Sequence, residues 1–264
     1  MSATPNNPSL GVSPPTRVSL FVTCLVDQFY PQVGESVVNV LERLGVDVDF
    51  PEGQTCCGQP AFNSGYRSDA RAVAKRFLGI FDGDGPIVTP SGSCAAMVRN
   101  FYPELFHDEP AELERANRVG ERLYEFSEFM VDMLGQTDLG GSIDESVAYH
   151  RCCHLLRELG VDAQPSSLIQ SIRGLDIRPL ERSEVCCGFG GAFAVKMPDV
   201  STAMLDEKLD NVLNTGAKTL VAGDTGCIMH MAGGLRRRGS NVQVIHLAEL
   251  LDRATSANTA ERSI

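Results

Sequence analysis

The chain contains itself twice, and each copy is organised around four cysteines. The first half runs Arg17-Val-Ser-Leu-Phe-Val-Thr-Cys24, then Gly45-Val-Asp-Val-Asp-Phe50 into Cys56-Cys57-Gly58, then Pro86-Ile-Val-Thr-Pro-Ser-Gly-Ser-Cys94. The second runs Glu145-Ser-Val-Ala-Tyr-His-Arg-Cys-Cys153, then Gly174-Leu-Asp-Ile-Arg-Pro179 into Cys186-Cys187-Gly188, then Thr219-Leu-Val-Ala-Gly-Asp-Thr-Gly-Cys227. The intervening lengths are 31 and 36 residues in one half and 32 and 39 in the other. Such a period means one supersecondary unit used twice.

Within each unit short apolar runs alternate with helical patterns, over Ser68–Phe81 and Val200–Leu213. Val37, Val38, Leu41 and Leu44, and Met204, Leu205, Leu209, Val212 and Leu213, read as the buried faces of amphipathic helices. Alternation of this kind predicts an α/β fold of two pseudo-symmetric cysteine-rich domains, each a mainly parallel sheet flanked by helices. The halves also end alike, on Leu123–Met133 and Val244–Arg253. The Gly-rich polar stretch 134–142 separates them, so the expected domains are 17–134 and 143–254, with a flexible leader over 1–16 and a flexible tail over 255–264. Sites in such sheets collect beyond the carboxyl ends of the strands, where Cys24, Cys94, Cys153 and Cys227 are expected.

A net charge of −11 argues against nucleic acid or an anionic membrane surface as partner. No apolar run is long enough to span a bilayer, and residues 1–16 lack the pattern of a secretory signal, so a cytoplasmic location is expected. In a reducing compartment, cysteines in matched sets read as metal ligands or redox groups rather than a disulfide framework. Adjacent Cα atoms are about 3.8 Å apart, below the roughly 4.4 Å lower edge for relaxed disulfides, which disfavours self-pairing within Cys56-Cys57 or Cys186-Cys187. Candidate ligands are therefore Cys24, Cys56, Cys57 and Cys94, and Cys153, Cys186, Cys187 and Cys227. Zinc and an iron–sulfur cluster both take four thiolates. Dispersed ligands without Cys-x-x-Cys knuckles favour the cluster, and the glycine after each pair lets backbone approach an inorganic core.

The motifs Ser19-Leu-Phe-Val-Thr-Cys-Leu-Val-Asp27, Gly53-Gln-Thr-Cys-Cys-Gly-Gln-Pro-Ala-Phe-Asn-Ser-Gly65, Pro90-Ser-Gly-Ser-Cys94, His154-Leu-Leu-Arg-Glu-Leu159 and Cys186-Cys-Gly-Phe-Gly-Gly191 resemble the lactate utilization protein A family over nearly the whole chain. Both halves resemble the CCG cysteine-rich domain found in heterodisulfide reductase and in the glycolate oxidase iron–sulfur subunit. The resemblance implies an electron-transfer subunit carrying one or two [4Fe-4S] clusters in a complex that oxidises L-lactate to pyruvate. It also implies companion subunits, a ferredoxin-type iron–sulfur protein and a third protein. The heterodisulfide reductase relatives use a fifth cysteine per domain, in a terminal Cys-x-x-Cys; here Ser91 and Asp224 stand at that position. An oxygen ligand and a simple four-thiolate centre both remain open, as do cubane and noncubane clusters. The alternatives are a non-redox zinc scaffold and a thiol–disulfide oxidoreductase.

Cys152 falls out of register with Cys24 and is expected to be a spare thiol. His150, His154 and His230 lie near the cysteines, as hydrogen-bonded loop histidines or as groups tuning a centre. Arg157 is a candidate carboxylate contact, Arg236-Arg237-Arg238 a solvated face or docking patch, and Gly188-Phe-Gly-Gly a weak dinucleotide signal. No catalytic residue is assigned.

Overall fold

The computed structural model describes residues 14–261, with side chains as far as Ser256. Of the leader expected over 1–16, residues 1–13 lie outside the described residues. Two parallel four-stranded sheets form the frame. The first contains β1 (Arg17–Leu20), β2 (Asp47–Asp49), β3 (Ile87–Thr89) and β4 (Leu123–Glu125) in the order β2-β1-β3-β4. The second contains β5 (Ser142–His150), β6 (Arg173–Ile177), β7 (Thr219–Ala222) and β8 (Gln243–His246) in the order β6-β5-β7-β8. The expected α/β architecture and its duplication are both present.

Each order has the same consequence. The chain winds outward from β1 to β2, then returns past β1 to β3, so the crossovers leave β1 on opposite sides. A crevice opens at that reversal, beyond the carboxyl ends of β1 and β3 and likewise of β5 and β7. The strands are central and short, and β3 and β7 (Ile-Val-Thr and Thr-Leu-Val-Ala) are buried along their whole length, as parallel strands covered on both faces must be.

Helices begin where the sequence supplies a start. Pro31, Pro110 and Pro198 open the helices Pro31–Arg43, Pro110–Glu121 and Pro198–Asn214, where a missing N–H costs nothing. The helix expected over Ser68–Phe81 is Arg67–Ile80, and that over Val200–Leu213 extends to Pro198–Asn214. Leu205, Leu209 and Val212 are buried as expected, whereas Leu213 is 39% exposed and Lys208 occupies the buried face. Of the tail expected over 255–264, residues 255–261 lie in the helix Leu247–Glu261, and residues 262–264 lie outside the described residues. There Thr255 and Ser256 accept hydrogen bonds from Arg43 of the other half, at 2.9 Å each.

The halves share a core. Each sheet has one private face, packed on Phe21, Phe77 and Tyr102 in the first half and on Leu205, Leu209 and Met231 in the second. A third cluster contains Val18, Leu20, Val37 and Leu41 of the first half together with Val147, Leu168, Leu247 and Leu251 of the second. The exchange is reciprocal: the helix Leu247–Glu261 packs on Pro31–Arg43, while residues 126–133 pack on the helix Ala163–Gln170. This central core holds the two crevices in a fixed relation. Among the described residues no helix is long and apolar enough to cross a membrane.

Candidate metal centre

All eight in-register cysteines line one cavity of about 200 Å³ between the two halves. Each reaches it from the first turn or entry loop of a helix that follows a strand. Cys24 opens the helix Cys24–Phe29 after β1, and Cys94 lies in Gly92–Ala96 after β3. Cys153 immediately precedes the π-helical turn His154–Leu159 after β5, and Cys227 lies in the first turn of Thr225–Arg237 after β7. The cysteine pairs arrive on the loops after β2 and β6. Gln54 pins the first of these loops to β1, accepting from Val22 N at 2.9 Å and donating to the Leu20 carbonyl at 2.8 Å. In the second half Arg151 N donates to the Ser183 carbonyl at 3.2 Å.

The sulfur atoms lie 3.6 Å apart in Cys24–Cys56, 3.4 Å in Cys57–Cys94 and 3.3 Å in Cys187–Cys227. No cysteine is in a disulfide. Gly58 N and Gly188 N each donate to the first sulfur of the preceding pair, at 3.4 Å. Hydrogen bonding from Cys24 pushes Cys56 well below the usual thiol range, and hydrogen bonding from Cys153 does the same to Cys186. Their neighbours move the other way: Cys24, Cys57, Cys153 and Cys187 are pushed up, first by hydrogen bonding to that thiolate and also by burial. The sulfurs within each set are close enough to share protons, and a bound metal would displace those protons and take the sulfurs as thiolates. This is the donor chemistry of a metal or iron–sulfur site, and the residues present fit such a group.

The glycine after each pair has a different role from the one its sequence position suggests. Gly58 and Gly188 have φ of +86° and +91°. A Cβ on Gly188 would meet the Ser201 carbonyl at 2.6 Å, so it is the helix Pro198–Asn214, not the cavity, that demands glycine.

Ser91 and Asp224, which stand where a fifth cysteine would, line the cavity and also join the two halves. Their backbones form an antiparallel bridge, and Ser91 Oγ donates to Asp224 Oδ2 at 3.1 Å. Asp224 Oδ2 also accepts from Ser93 N at 2.9 Å, and its Oδ1 caps its own helix from Gly226 N at 3.0 Å. Next to this clamp Leu155 fills the space above Gly92, where an added Cβ would lie 1.7 Å from Leu155 Cδ1.

The remaining candidates divide. His154 lines the cavity, its Nδ1 3.7 Å from Cys153 Sγ. His230 lies behind it, against Ser201 Oγ at 3.4 Å and the Phe189 ring at 5.8 Å. Arg157 donates to the Glu184 carbonyl, away from the cavity. Arg238 is bound to Asp206 and Asp210, which accounts for that member of the arginine run. Cys152 is buried, 3.7 Å from the His150 carbonyl, and hydrogen-bonds to Cys227, which helps push that thiol up. His150 is fully buried, and burial lowers its imidazole to about 4. An imidazole nitrogen of His150 and the sulfurs of Cys187 and Cys227 all lie within 4.8 Å of one another. Counting back three residues from Cys24 and Cys153 sets His150 opposite Phe21, and this asymmetry of the repeat was the available sequence signal for it.

The cysteine-rich domain family matches the chain twice, over residues 18–99 and 147–232. A protein from Bacillus cereus (strain 03BB102) named lactate utilization protein A 2 is 48% identical over 235 residues, covering 89% of this chain and 97% of its own. Lactate utilization protein A from Bacillus licheniformis is 46% identical over 236 residues, 89% of this chain and 99% of its own. A crystal structure of a hypothetical protein from Helicobacter pylori shares the fold with a TM-score of 0.64 at 13% identity, covering 92% of this chain; the chain spans about half (49%) of that protein. With its duplicated cysteine-rich domain and this identity along most of its length, the chain belongs to the lactate utilization protein A family.

Proposed function

We propose that this chain is an iron–sulfur electron-transfer subunit that works with companion proteins, one of them ferredoxin-like, to oxidise L-lactate to pyruvate in a reducing, cytoplasmic setting. Cys24, Cys56, Cys57 and Cys94, from the domain 17–134, hold one centre. Cys153, Cys186, Cys187 and Cys227, from the domain 143–254, hold the other. The observation that carries the reading is that both sulfur sets line a single cavity. Structural zinc sites are closed around one ion and adjoin no such space, whereas a polynuclear cluster fills more volume. An iron–sulfur centre supplies one-electron transfer when bound. Lactate gives up two electrons, so two centres in one chain, or one centre and a partner, share them.

The chain's own groups support that role. The Gly58 and Gly188 N–H groups and the helix starts stabilise negative sulfur. The Ser91–Asp224 clamp fixes the separation of the two sets. Among the described residues no lysine or arginine lines the cavity, so lactate's carboxylate has no counter-ion there and its oxidation belongs on a partner protein.

A second reading has its own observation. Two thiolates on one tetrahedral zinc, each about 2.3 Å from the metal, lie about 3.8 Å apart, and the sulfur pairs here are separated by 3.3–3.6 Å. That spacing suits a single ion in each half. Anaerobic purification followed by iron, sulfide and zinc analysis separates the readings. Brown protein with iron and acid-labile sulfide in equal amounts supports the first, and colourless protein carrying zinc alone overturns it.

A further inference from the structure

We propose that His150 is a ligand of the second-half centre, bonding through Nε2 alongside Cys187 and Cys227, so that the two centres of this duplicated chain differ in their ligands. The inference rests on the metal-centre reading above and assigns a nitrogen donor that the cysteine pattern does not contain.

The ring's orientation fixes its chemistry. Nδ1 lies 3.1 Å from the Ser183 carbonyl oxygen, which only accepts, so Nδ1 carries the proton. Lys208 Nζ donates to the same carbonyl at 3.3 Å. Nε2 is therefore a bare lone pair. It is buried and has no hydrogen-bond partner, in a residue of zero exposure. A buried acceptor left unpaired costs about 1–3 kcal/mol, and a metal between it and two sulfurs within 4.8 Å removes that cost. An N–H bonded to a backbone carbonyl, leaving the other ring nitrogen free, is the arrangement of metal-binding histidines generally. A hydrogen-bond donor role toward the centre would need the other tautomer, which Ser183 excludes.

The first half has no equivalent. Phe21 occupies the corresponding position, fully buried, and offers no lone pair. The scaffold is the same; the donor is not. A neutral imidazole donor present beside one sulfur set and absent from the other makes the two centres chemically distinct.

The test uses full-length protein, purified anaerobically with its metal, grown with natural-abundance or 15N-labelled histidine. Pulsed electron paramagnetic resonance of the reduced protein should show a directly coordinated histidine nitrogen that changes with the label. His150→Phe, which copies the first half, should lose that coupling and at most half of the iron, while His107→Gln, an exposed histidine outside the cavity, keeps both. Bound iron without a histidine coupling in the unaltered protein, or a coupling that survives His150→Phe, overturns the proposal and leaves the iron–sulfur reading standing. Protein without iron overturns the reading beneath it. The labelled unaltered protein decides the matter even should His150→Phe fail to fold.

Discussion

Glu125 lies at the end of β4, where the two halves meet, and its carboxylate is fully buried. One oxygen, Oε2, caps the following turn by accepting from Ser127 N at 2.8 Å and Glu128 N at 3.3 Å; the other, Oε1, has no partner. Burial raises this carboxyl from 4.5 to about 7, with the hydrogen bonds from Ser127 opposing the rise. The folded protein thus binds a proton here more tightly than the unfolded chain does. Stability from this group is full below about 4.5, declines as pH rises toward 7, and stays low above it. A shift of roughly 2.5 units at about 1.4 kcal/mol each makes the ionised carboxylate cost about 3 kcal/mol at pH 8. Glu125→Gln keeps an oxygen for the cap and never ionises. The variant should match the unaltered protein near pH 5 and gain about 3 kcal/mol on it by pH 8, or roughly 5–10 °C in melting temperature. Parallel melts of the two proteins across that range measure the difference, in which other titrating groups cancel. A constant difference between the two melts would refute the reasoning, as would a carboxyl carbon of Glu125 that titrates near 4.5 by NMR.

Gly92→Ala should destabilise the join between the halves by about 1–3 kcal/mol or more, since its methyl group would overlap Leu155. Adding Leu155→Ala should recover part of that loss, and strictly additive melting shifts in the double variant would show that the contact is absent. Gly188→Ala should cost more than Gly58→Ala: both positions have positive φ, but the nearest atom to the new Cβ is 2.6 Å away in one case and 3.5 Å in the other. Equal melting temperatures would contradict this. Cys57→Ser and Cys187→Ser should each release about half of the bound metal, while Cys152→Ser retains it; full retention in the first two, by metal analysis, would remove those cysteines from the ligand set.

Much of the fold was legible along the chain. The strand runs ending at Leu20, Thr89 and Ala222 and the cysteines placed just beyond them repeat at nearly the same spacing, so a local pattern read twice identifies the α/β unit and its duplication. The eight cysteines were legible for the same reason, and the structure brings all of them to one cavity. Other readings failed where local pattern met a distant neighbour. Leu213 fits an apolar stripe yet faces outward, and the segment after residue 254 continues as helix because Arg43 of the other half reaches it.

By itself, then, the sequence determined the repeated unit, the matched cysteines and the rim on which they sit, since hydrophobic period and loop spacing are properties of neighbouring residues. Tertiary structure alone decided the rest. It joined Ser91 and Asp224, 133 residues apart, into a clamp at the edge of the cavity. It merged two crevices into one cavity, and it brought His150 within 4.8 Å of two sulfurs while Phe21 fills the matching place. Contacts between residues so far apart leave no periodic trace along the chain, and only the packing of one half against the other creates them.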